Sequence, residues 1–305
     1  MAGNIVLCNL PKAGLGNQLF PLMHARLFSE LNGLPLIVLG YNQLSIGPYV
    51  RREKKKRRYG NYFKFQKDVL SEYLDWLKVR RLKRKYNLVH EPPVEKVQSK
   101  ELGNTMFIFE QIPDSQDYFK RLKGYRTEVS ALLYSMINPW LLDCLERQEP
   151  HVIGIHARMG DFSKLAKGEI YKSGHVRVPE EYFVKTVKLL REISACCLPV
   201  AVFTDGFREE FREIFYLKGI EMVEQTPDIV DLLLLSRSKI IIPTHGSTFS
   251  MWAAFLSDAI IIFNFPYPNL IRPDSLRETL YEGVLDTANE QLRMAISAIK
   301  ISVDP

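Results

Sequence analysis

Residues 156–161, with the sequence HARMGD, bring together side chains that suit the binding of an anion. They follow a continuous apolar run, so we expect them at the carboxyl end of a strand, where Gly160 lets the chain turn. Arg158 would offer a rigid, permanently charged fork that matches phosphate oxygens and needs no metal ion. A surface salt bridge between Arg158 and Asp161 is the alternative, and this segment alone does not decide between the two.

A second polar group, residues 243–250 with the sequence PTHGSTFS, lies between an apolar strand and a helix predicted to open near Ser250. A helix N-terminus presents unpaired N–H groups and a partial positive charge, both of which favour a phosphate. Gly246 permits a close backbone approach, and the hydroxyls of Ser247, Thr248 and Ser250 add donors. An ordinary helix cap would explain one hydroxyl, so the whole group favours an anion site.

Two further turns lie where a predicted strand meets a helix. In the first, Thr204 and Asp205 precede Gly206, and the carboxylate suits hydrogen bonds from a guanine edge or a ribose; a turn with a capping acid is the alternative. In the second, residues 14–18 (GLGNQ) fail as a dinucleotide fingerprint, because Leu19 stands where the third glycine belongs and no acid follows the next strand. They remain a glycine-rich turn with two amides able to bind hydroxyl-rich or phosphorylated ligands.

Several motifs of metal and hydrolase chemistry are missing from the sequence. It contains no Asp-x-Asp triplet, no Gly-x-Ser-x-Gly, no His-Glu-x-x-His and no Cys-x-x-Cys pair among its four cysteines. We therefore expect no metal site and no cofactor. The charge of a bound pyrophosphate would have to be offset by Arg158 and by the helix that opens near Ser250.

Hydrophobic periodicity predicts the elements that position these motifs. The predicted strands are 4–10, 34–39, 105–109, 152–156, 200–204, 220–223, 239–242 and 259–263. The predicted helices contain 19–31, 70–77, 118–122, 127–136, 179–193, 208–217, 229–236, 250–256 and 285–299. This α/β rhythm predicts two doubly wound domains, 1–150 and 151–305, that face each other across a cleft.

Composition and charge limit the class of protein. The chain has 305 residues, 46% hydrophobic and 25% charged, the balance of a soluble globular protein. No apolar run is long enough to cross a bilayer and no signal peptide is evident, so a cytoplasmic protein is the simplest interpretation. The cysteines fit structural thiols in a reducing compartment.

The net charge of +6 is unevenly distributed, because residues 51–86 hold fifteen Lys or Arg against four acids. A solvated face is the commonest meaning of such a run. Contact with anionic lipid at the inner face of the membrane is the second interpretation, and it would hold the protein beside lipid-linked glycans. Nucleic-acid binding is the least supported, since no nucleic-acid motif accompanies the charge.

Taken together, these motifs resemble those of the α-1,2-fucosyltransferases of glycosyltransferase family 11 and of the wider superfamily with α-1,6- and protein O-fucosyltransferases. The family's GGLGNQMF is similar to residues 13–20, its HxRRGDY to 156–162, its FSDD to 203–206 and its NSTFSWWAAWL to 246–256. The motifs occur in the same order along the chain. Departures from the family pattern are Ala13, Met159, Gly206 and Met251.

The resemblance implies a two-domain GT-B fold and an inverting, metal-independent transfer of fucose from GDP-fucose to a glycan hydroxyl, with an α-1,2 linkage to galactose. It assigns the donor's β-phosphate to Arg158, the nucleoside to His156 and Asp205, and the pyrophosphate to the helix start. The predicted substrate-binding residues are Gly14, Gly16, Asn17, Gln18, His156, Arg158, Thr204, Asp205, Ser247, Thr248, Phe249 and Ser250. A different GDP-sugar, or a non-catalytic nucleotide- or glycan-binding relative, is the alternative.

An inverting transfer also needs a base that accepts the proton of the acceptor hydroxyl. Asp161 is the first candidate because it lies three residues from Arg158, and these two residues form the predicted catalytic pair. Glu169 and His175, in the loop that follows, are competing candidates for the base.

Overall fold

The computed structural model describes residues 3–43, 47–50, 59–95, 103–115, 118–164, 176–223, 226–264, 266 and 269–299. The chain divides into two compact units. Unit 1 comprises 1–45 and 57–140, and unit 2 comprises 46–56 and 141–305. The assignment of 1–150 and 151–305 to two facing domains stays a prediction.

The elements alternate between strands and helices along most of the chain. In order they are β1 (Ile5–Asn9), α1 (Leu15–Asn32), β2 (Leu36–Leu39), α2 (Gly47–Val50), α3 (Val69–Leu82), β3 (Asn87–His90), β4 (Thr105–Phe109), α4 (Arg126–Met136), α5 (Pro139–Glu146), β5 (Ile153–Ala157), α6 (Glu180–Ser194), β6 (Val200–Thr204), β7 (Ile220–Met222), α7 (Asp228–Ser236), β8 (Ile240–Ile242), α8 (Thr248–Leu256), β9 (Ile260–Phe263), β10 (Glu282–Val284) and α9 (Glu290–Ser297).

Unit 1 contains a parallel sheet in the order β2-β1-β4-β3. Successive residues of β4 point to opposite faces: Phe107 packs on Phe28 of α1, whereas Met106 lies in a cluster with Val79 of α3. Helices therefore cover both faces of this sheet. Helix α1 ends where Gly33 takes a left-handed φ of 61°, a conformation that glycine adopts readily.

Unit 2 contains a parallel sheet in the order β10-β9-β8-β5-β6-β7. From β5 the chain builds outward through β6 and β7, and it then returns to the other side of β5 with β8. The neighbours β5 and β8 therefore form the switch point of a doubly wound sheet, where ligands of such folds bind at the carboxyl ends of the strands. The predicted parallel α/β class is confirmed.

Both faces of the second sheet are packed. On one face, Ile155 of β5 shares a core with Phe183 of α6 and Leu292 of α9. On the other face α7 approaches so closely that a Cβ at Gly154 would lie 2.6 Å from Leu235 Cδ1. The apolar strand β5 is buried along its whole length, as expected of a central parallel strand.

Three helix predictions are wrong in whole or part. Residues 208–217 form two short 3₁₀ turns, because the Glu180 carboxylate accepts hydrogen bonds from the amides of Arg212, Glu213 and Ile214 that an α-helix would direct to its own carbonyls. Residues 118–122 form turns instead of a helix. The last helix begins at Glu290 and not at 285, since the Asn289 side chain caps it.

Two strands and two helices were not predicted from the sequence: β3, β10, α2 and α5. Helix α5 opens at Pro139, a favoured first position because proline lacks the N–H that would be unpaired there. All four cysteines are free thiols. No helix in the described part of the chain has the length and hydrophobicity of a membrane span.

Candidate functional site

The carboxyl ends of β5 and β8 are joined by one buried side chain, Thr244. Its hydroxyl donates to the backbone carbonyl of His156 at 2.6 Å and accepts from the backbone N–H of Arg158 at 3.0 Å. The predicted arginine segment and the predicted hydroxyl-rich segment are therefore adjacent at the switch point. Sequence reasoning gave Thr244 no role of its own; its position directly after a neighbouring strand was the available signal.

The guanidinium of Arg158 lies between two carboxylates. Its Nη2 is 2.7 Å from Asp161 Oδ1, and its Nη1 is 2.6 Å from Asp205 Oδ2. The side chain of Asp161 is 35% exposed, against 11% for Asp205 and 19% for Arg158. The salt bridge between Arg158 and Asp161, which the sequence analysis gave as the alternative, is thus present. Arg158 also pairs with a second acid, Asp205, which follows β6.

Thr204 and Asp205 hold the loop that carries Arg158. Asp205 Oδ1 accepts from the amides of Met159 at 2.7 Å and Gly160 at 3.2 Å, while the Thr204 hydroxyl donates to the carbonyl of Ala157 at 2.6 Å. Asp205 is therefore more than the capping acid of a local turn. Asp205 lies beside Arg158 and Asp161, but only its Oδ2 pairs with Arg158, because Oδ1 accepts hydrogen bonds from the backbone.

Two of the four departures from the family pattern, Met159 and Gly206, are in contact with each other. A Cβ placed on Gly206 would lie 2.7 Å from Met159 Cγ and 2.8 Å from Glu210 Oε2. The methionine side chain thus occupies the space beside the glycine. A larger residue at 206 requires the side chains of both Met159 and Glu210 to shift.

Helix α8 opens at this same edge of the sheet. Gly246 has a φ of 72°, which a residue with a side chain rarely adopts, and it turns the chain into the helix. Ser247 is the N-cap residue, yet its side chain makes no capping hydrogen bond, so the ordinary cap considered from the sequence is not formed. The first-turn amides of such a helix favour an anion.

The predicted residues of α8 have different surroundings. Ser250 is fully buried, and its single hydroxyl proton is shared between the carbonyls of Thr244 and Ser247, each 3.2 Å away, so it stabilises the turn from inside. Thr248 and Phe249 are partly exposed. The Phe249 ring stacks on buried His156 with 4.9 Å between ring centroids. The predicted nucleoside residue His156 is therefore in contact with the predicted pyrophosphate segment.

His245 lies in the turn before α8 and was not among the predicted site residues. Burial lowers the pKa of His245 to about 4. The imidazole of this structure is therefore neutral at physiological pH.

Arg177 and Glu210 support the arginine loop from outside the predicted motifs. Arg177 Nη1 pairs with Glu210 Oε1 at 2.8 Å, and its Nε donates to the carbonyl of Phe162 at 3.0 Å. Burial acts to raise the pKa of Glu210, but the hydrogen bonds from the Phe207 amide and Arg177, with the charge of Arg177, lower it overall. Neither residue had a sequence signal, because the contacts join distant segments.

The glycine-rich residues 14–18 lie in unit 1, where Gly14 is the N-cap of α1 and the other four form its first turn. Gly14 precedes the helix, and the neighbouring Leu15 amide donates to the Tyr59 hydroxyl at 2.9 Å. The Gln18 side-chain amide donates to the carbonyls of Pro11 and Ala13, while Gly16 and Asn17 form the first helical turn. A ligand-binding role for this turn stays a prediction.

Some sequence predictions fall outside the residues that the structure describes. These are the competing bases Glu169 and His175 and residues 51–58 of the basic segment. Among the described residues, no group of three or more His, Cys, Asp or Glu side chains is arranged to hold a metal ion.

Similarity to known proteins lies in the fold. No protein-family model and no curated protein sequence matches the chain. The Bradyrhizobium NodZ α-1,6-fucosyltransferase co-crystallised with GDP aligns with a TM-score of 0.50 and 15% identity over 87% of this chain and 96% of its own. NodZ soaked with GDP-fucose aligns at 0.49 and 15% over 89% and 97%. Arabidopsis thaliana FUT1 with GDP aligns at 0.45 and 13% over 89% and 73%.

Proposed function

We propose that the chain is a glycosyltransferase that uses a GDP-sugar, with GDP-fucose as the donor. The observation that carries the proposal is the meeting of Arg158 and the start of α8 at the β5–β8 switch point, joined by Thr244. A cation and a helix N-terminus at this position suit the pyrophosphate of a nucleotide-sugar. The fold shared with NodZ, which was co-crystallised with GDP, supports guanine as the base of the donor.

The proposed chemistry is an inverting displacement. The acceptor oxygen forms a bond to the anomeric carbon, the bond to the β-phosphate oxygen breaks, and GDP leaves with the bonding electrons. Arg158 and the amides of α8 offset the charge that develops on the leaving GDP. Asp161 is the proposed base for the acceptor proton. Its carboxylate lies 2.7 Å from Arg158 Nη2, so a phosphate that binds this nitrogen displaces it and leaves it available to the acceptor hydroxyl.

The remaining features of the proposal follow from the resemblance and from sequence composition. The acceptor is a glycan or lipid-linked glycan hydroxyl, with an α-1,2 linkage to galactose. Neutralisation by Arg158 and α8 makes the transfer independent of metal, and the location is cytoplasmic. The fold is of the two-domain GT-B type that the resemblance implies, and residues 14–18 take part in ligand binding.

A thermal-shift panel of GDP-, UDP- and dTDP-sugars, with and without magnesium, tests the donor. The proposal expects stabilisation by GDP-fucose and GDP, a smaller effect of the other nucleotides, and no dependence on magnesium. Equal stabilisation by UDP- or dTDP-sugars would contradict it. Slow release of GDP from GDP-fucose without acceptor separates the enzyme from a non-catalytic binder, which would bind the donor without turnover.

A further inference from the structure

Helix α3 carries its apolar side chains on the outside of unit 1. The exposed fractions are 69% for Val69, 68% for Leu70, 54% for Tyr73, 57% for Leu74 and 44% for Trp76. Val79 is the one residue of this helix that is buried. At 3.6 residues per turn the exposed residues share one side of the helix, so α3 presents a continuous apolar strip to its surroundings.

Cations continue this strip toward the end of the helix and beyond. Leu74 and Leu77 line a groove of about 340 Å³ together with Lys78, Arg81 and Lys85. Arg80 lies over the Trp76 ring, 5.6 Å from its centroid. Within the described part of the chain, none of these four cations pairs with a carboxylate.

The acidic side chains of α3 bind groups other than these four cations. Glu72 accepts hydrogen bonds from the backbone amides of Gly40, Tyr41 and Asn42. Asp75 pairs with Lys67 at 2.5 Å. The outer side of the helix therefore keeps its positive charge. We name Leu70, Tyr73, Leu74, Trp76 and Leu77, with Lys78, Arg80, Arg81 and Lys85, the cationic apolar face.

We propose that the cationic apolar face docks on the surface of an anionic lipid bilayer. An interfacial helix combines leucine and aromatic residues that enter the boundary of the acyl chains with cations that contact the headgroups. Tyr73 and Trp76, whose stacked rings have centroids 5.8 Å apart, are residue types that favour this boundary. A second copy of the chain is disfavoured as the occupant, because a two-fold contact would bring the cations of both copies together.

This inference does not rest on the proposed function, and lipid binding tests it directly. Full-length protein is sedimented with vesicles of phosphatidylcholine, alone or with about one third phosphatidylserine, at low and high salt. We expect binding to the anionic vesicles only, weakened by salt. Leu70→Ser/Leu74→Ser and Arg81→Gln/Lys85→Gln should each reduce the partition constant roughly tenfold or more.

The controls remove equivalent groups from exposed positions in unit 2. Met294→Ser on α9 and Lys185→Gln/Lys188→Gln on α6 should bind as the wild type does. Loss of binding in these controls to the same degree would overturn the proposal, because non-specific charge would then explain it. Absence of binding to anionic vesicles would also overturn it, as would a dimer that the Leu70→Ser/Leu74→Ser variant dissociates while vesicles have no effect.

Depth-dependent quenching locates the contact within the protein. Quenchers placed in the acyl chains should reduce emission from Trp76, so the quenched fraction should disappear in Trp76→Phe. Trp140 is also exposed, on α5, and Trp140→Phe should leave the quenched fraction unchanged. The opposite pattern would assign the lipid contact to another surface and overturn the role of α3.

Discussion

Arg158 Nη1 lies 2.6 Å from Asp205 Oδ2, so an ion pair joins the loop after β5 to the loop after β6. The same guanidinium also pairs with Asp161, which leaves three side chains with one positive and two negative charges. A phosphate that approaches Arg158 therefore competes with a carboxylate. Asp161 is the more exposed of the two, whereas Asp205 is also held by the amides of Met159 and Gly160.

Neutralising Asp161 and neutralising Asp205 should change the affinity for GDP in opposite directions. Asp161→Asn removes the competing charge, so we expect GDP to bind about two- to fivefold more tightly, the size of a partly exposed charge pair. Asp205→Asn loosens the arginine loop and should weaken GDP binding. Titration calorimetry measures both. Tighter binding of GDP by both variants would show that Asp205 does not position Arg158.

The contact between Met159 and Gly206 predicts coupling between the two positions. Gly206→Ala places a Cβ 2.7 Å from Met159 Cγ, and overpacking of this kind costs about 1–3 kcal/mol of unfolding free energy. In a Met159→Ala background the cost should fall by at least about 0.5 kcal/mol. Denaturant unfolding of the wild type, the two single variants and the double variant gives the coupling free energy between positions 159 and 206. Additive effects would mean that the cost comes from the Cβ of residue 159 and from Glu210, which remain in this background, and not from Met159 Cγ.

Transfer should not require a divalent ion. The sequence lacks the Asp-x-Asp triplet, and the proposed neutralising groups are Arg158 and the start of α8. Activity measured with GDP-fucose in excess chelator should therefore match activity with added magnesium or manganese. A strict requirement for manganese, restored by titration of the ion, would contradict this part of the proposal.

Acid should destabilise the protein through His24. Burial, with a smaller contribution from the charge of Arg121, lowers the pKa of His24 to about 3. The unfolded chain then binds this proton more readily, so the stability is fully present above pH 6.5 and declines as the pH falls toward 3. The slope is up to about 1.4 kcal/mol per pH unit.

His24→Phe should reduce the dependence of the unfolding free energy on pH between 4 and 6, as measured by urea unfolding. Met294→Phe introduces the same phenyl ring at an exposed position, serves as the control and should retain the slope of the wild type. An unchanged slope in His24→Phe would show that this imidazole is not the group that titrates.

The sequence predicts the structure best where short-range preferences of neighbouring residues determine it. The turn at Gly33, the buried strand β5 and the strand-to-helix turns that carry Arg158 and Ser247 all follow from periodicity and from the conformational preferences of glycine. Parallel sheets also follow from the alternation of strands and helices. These local rules were sufficient to predict that the polar segments lie at strand ends.

Long-range contacts account for what the sequence did not reveal. The helical pattern of 208–217 is overridden by Glu180, about thirty residues away, and the short strands β3 and β10 depend on neighbours in the sheet. Arg158 pairs with both Asp161 and Asp205 because β5 and β6 are neighbours in the sheet. No local sequence pattern gives the order of the strands. The outward orientation of the apolar side of α3 likewise depends on which surfaces of unit 1 are already filled.

The most direct test of the account is turnover of GDP-fucose by an Arg158→Ala variant whose fold is verified by circular dichroism. We predict a loss of rate on the order of 10²–10³, a smaller loss in Arg158→Lys because lysine keeps the charge without the fork, and no loss in the exposed control Arg293→Ala. A folded Arg158→Ala protein that binds GDP and turns over GDP-fucose as the wild type does would contradict the account.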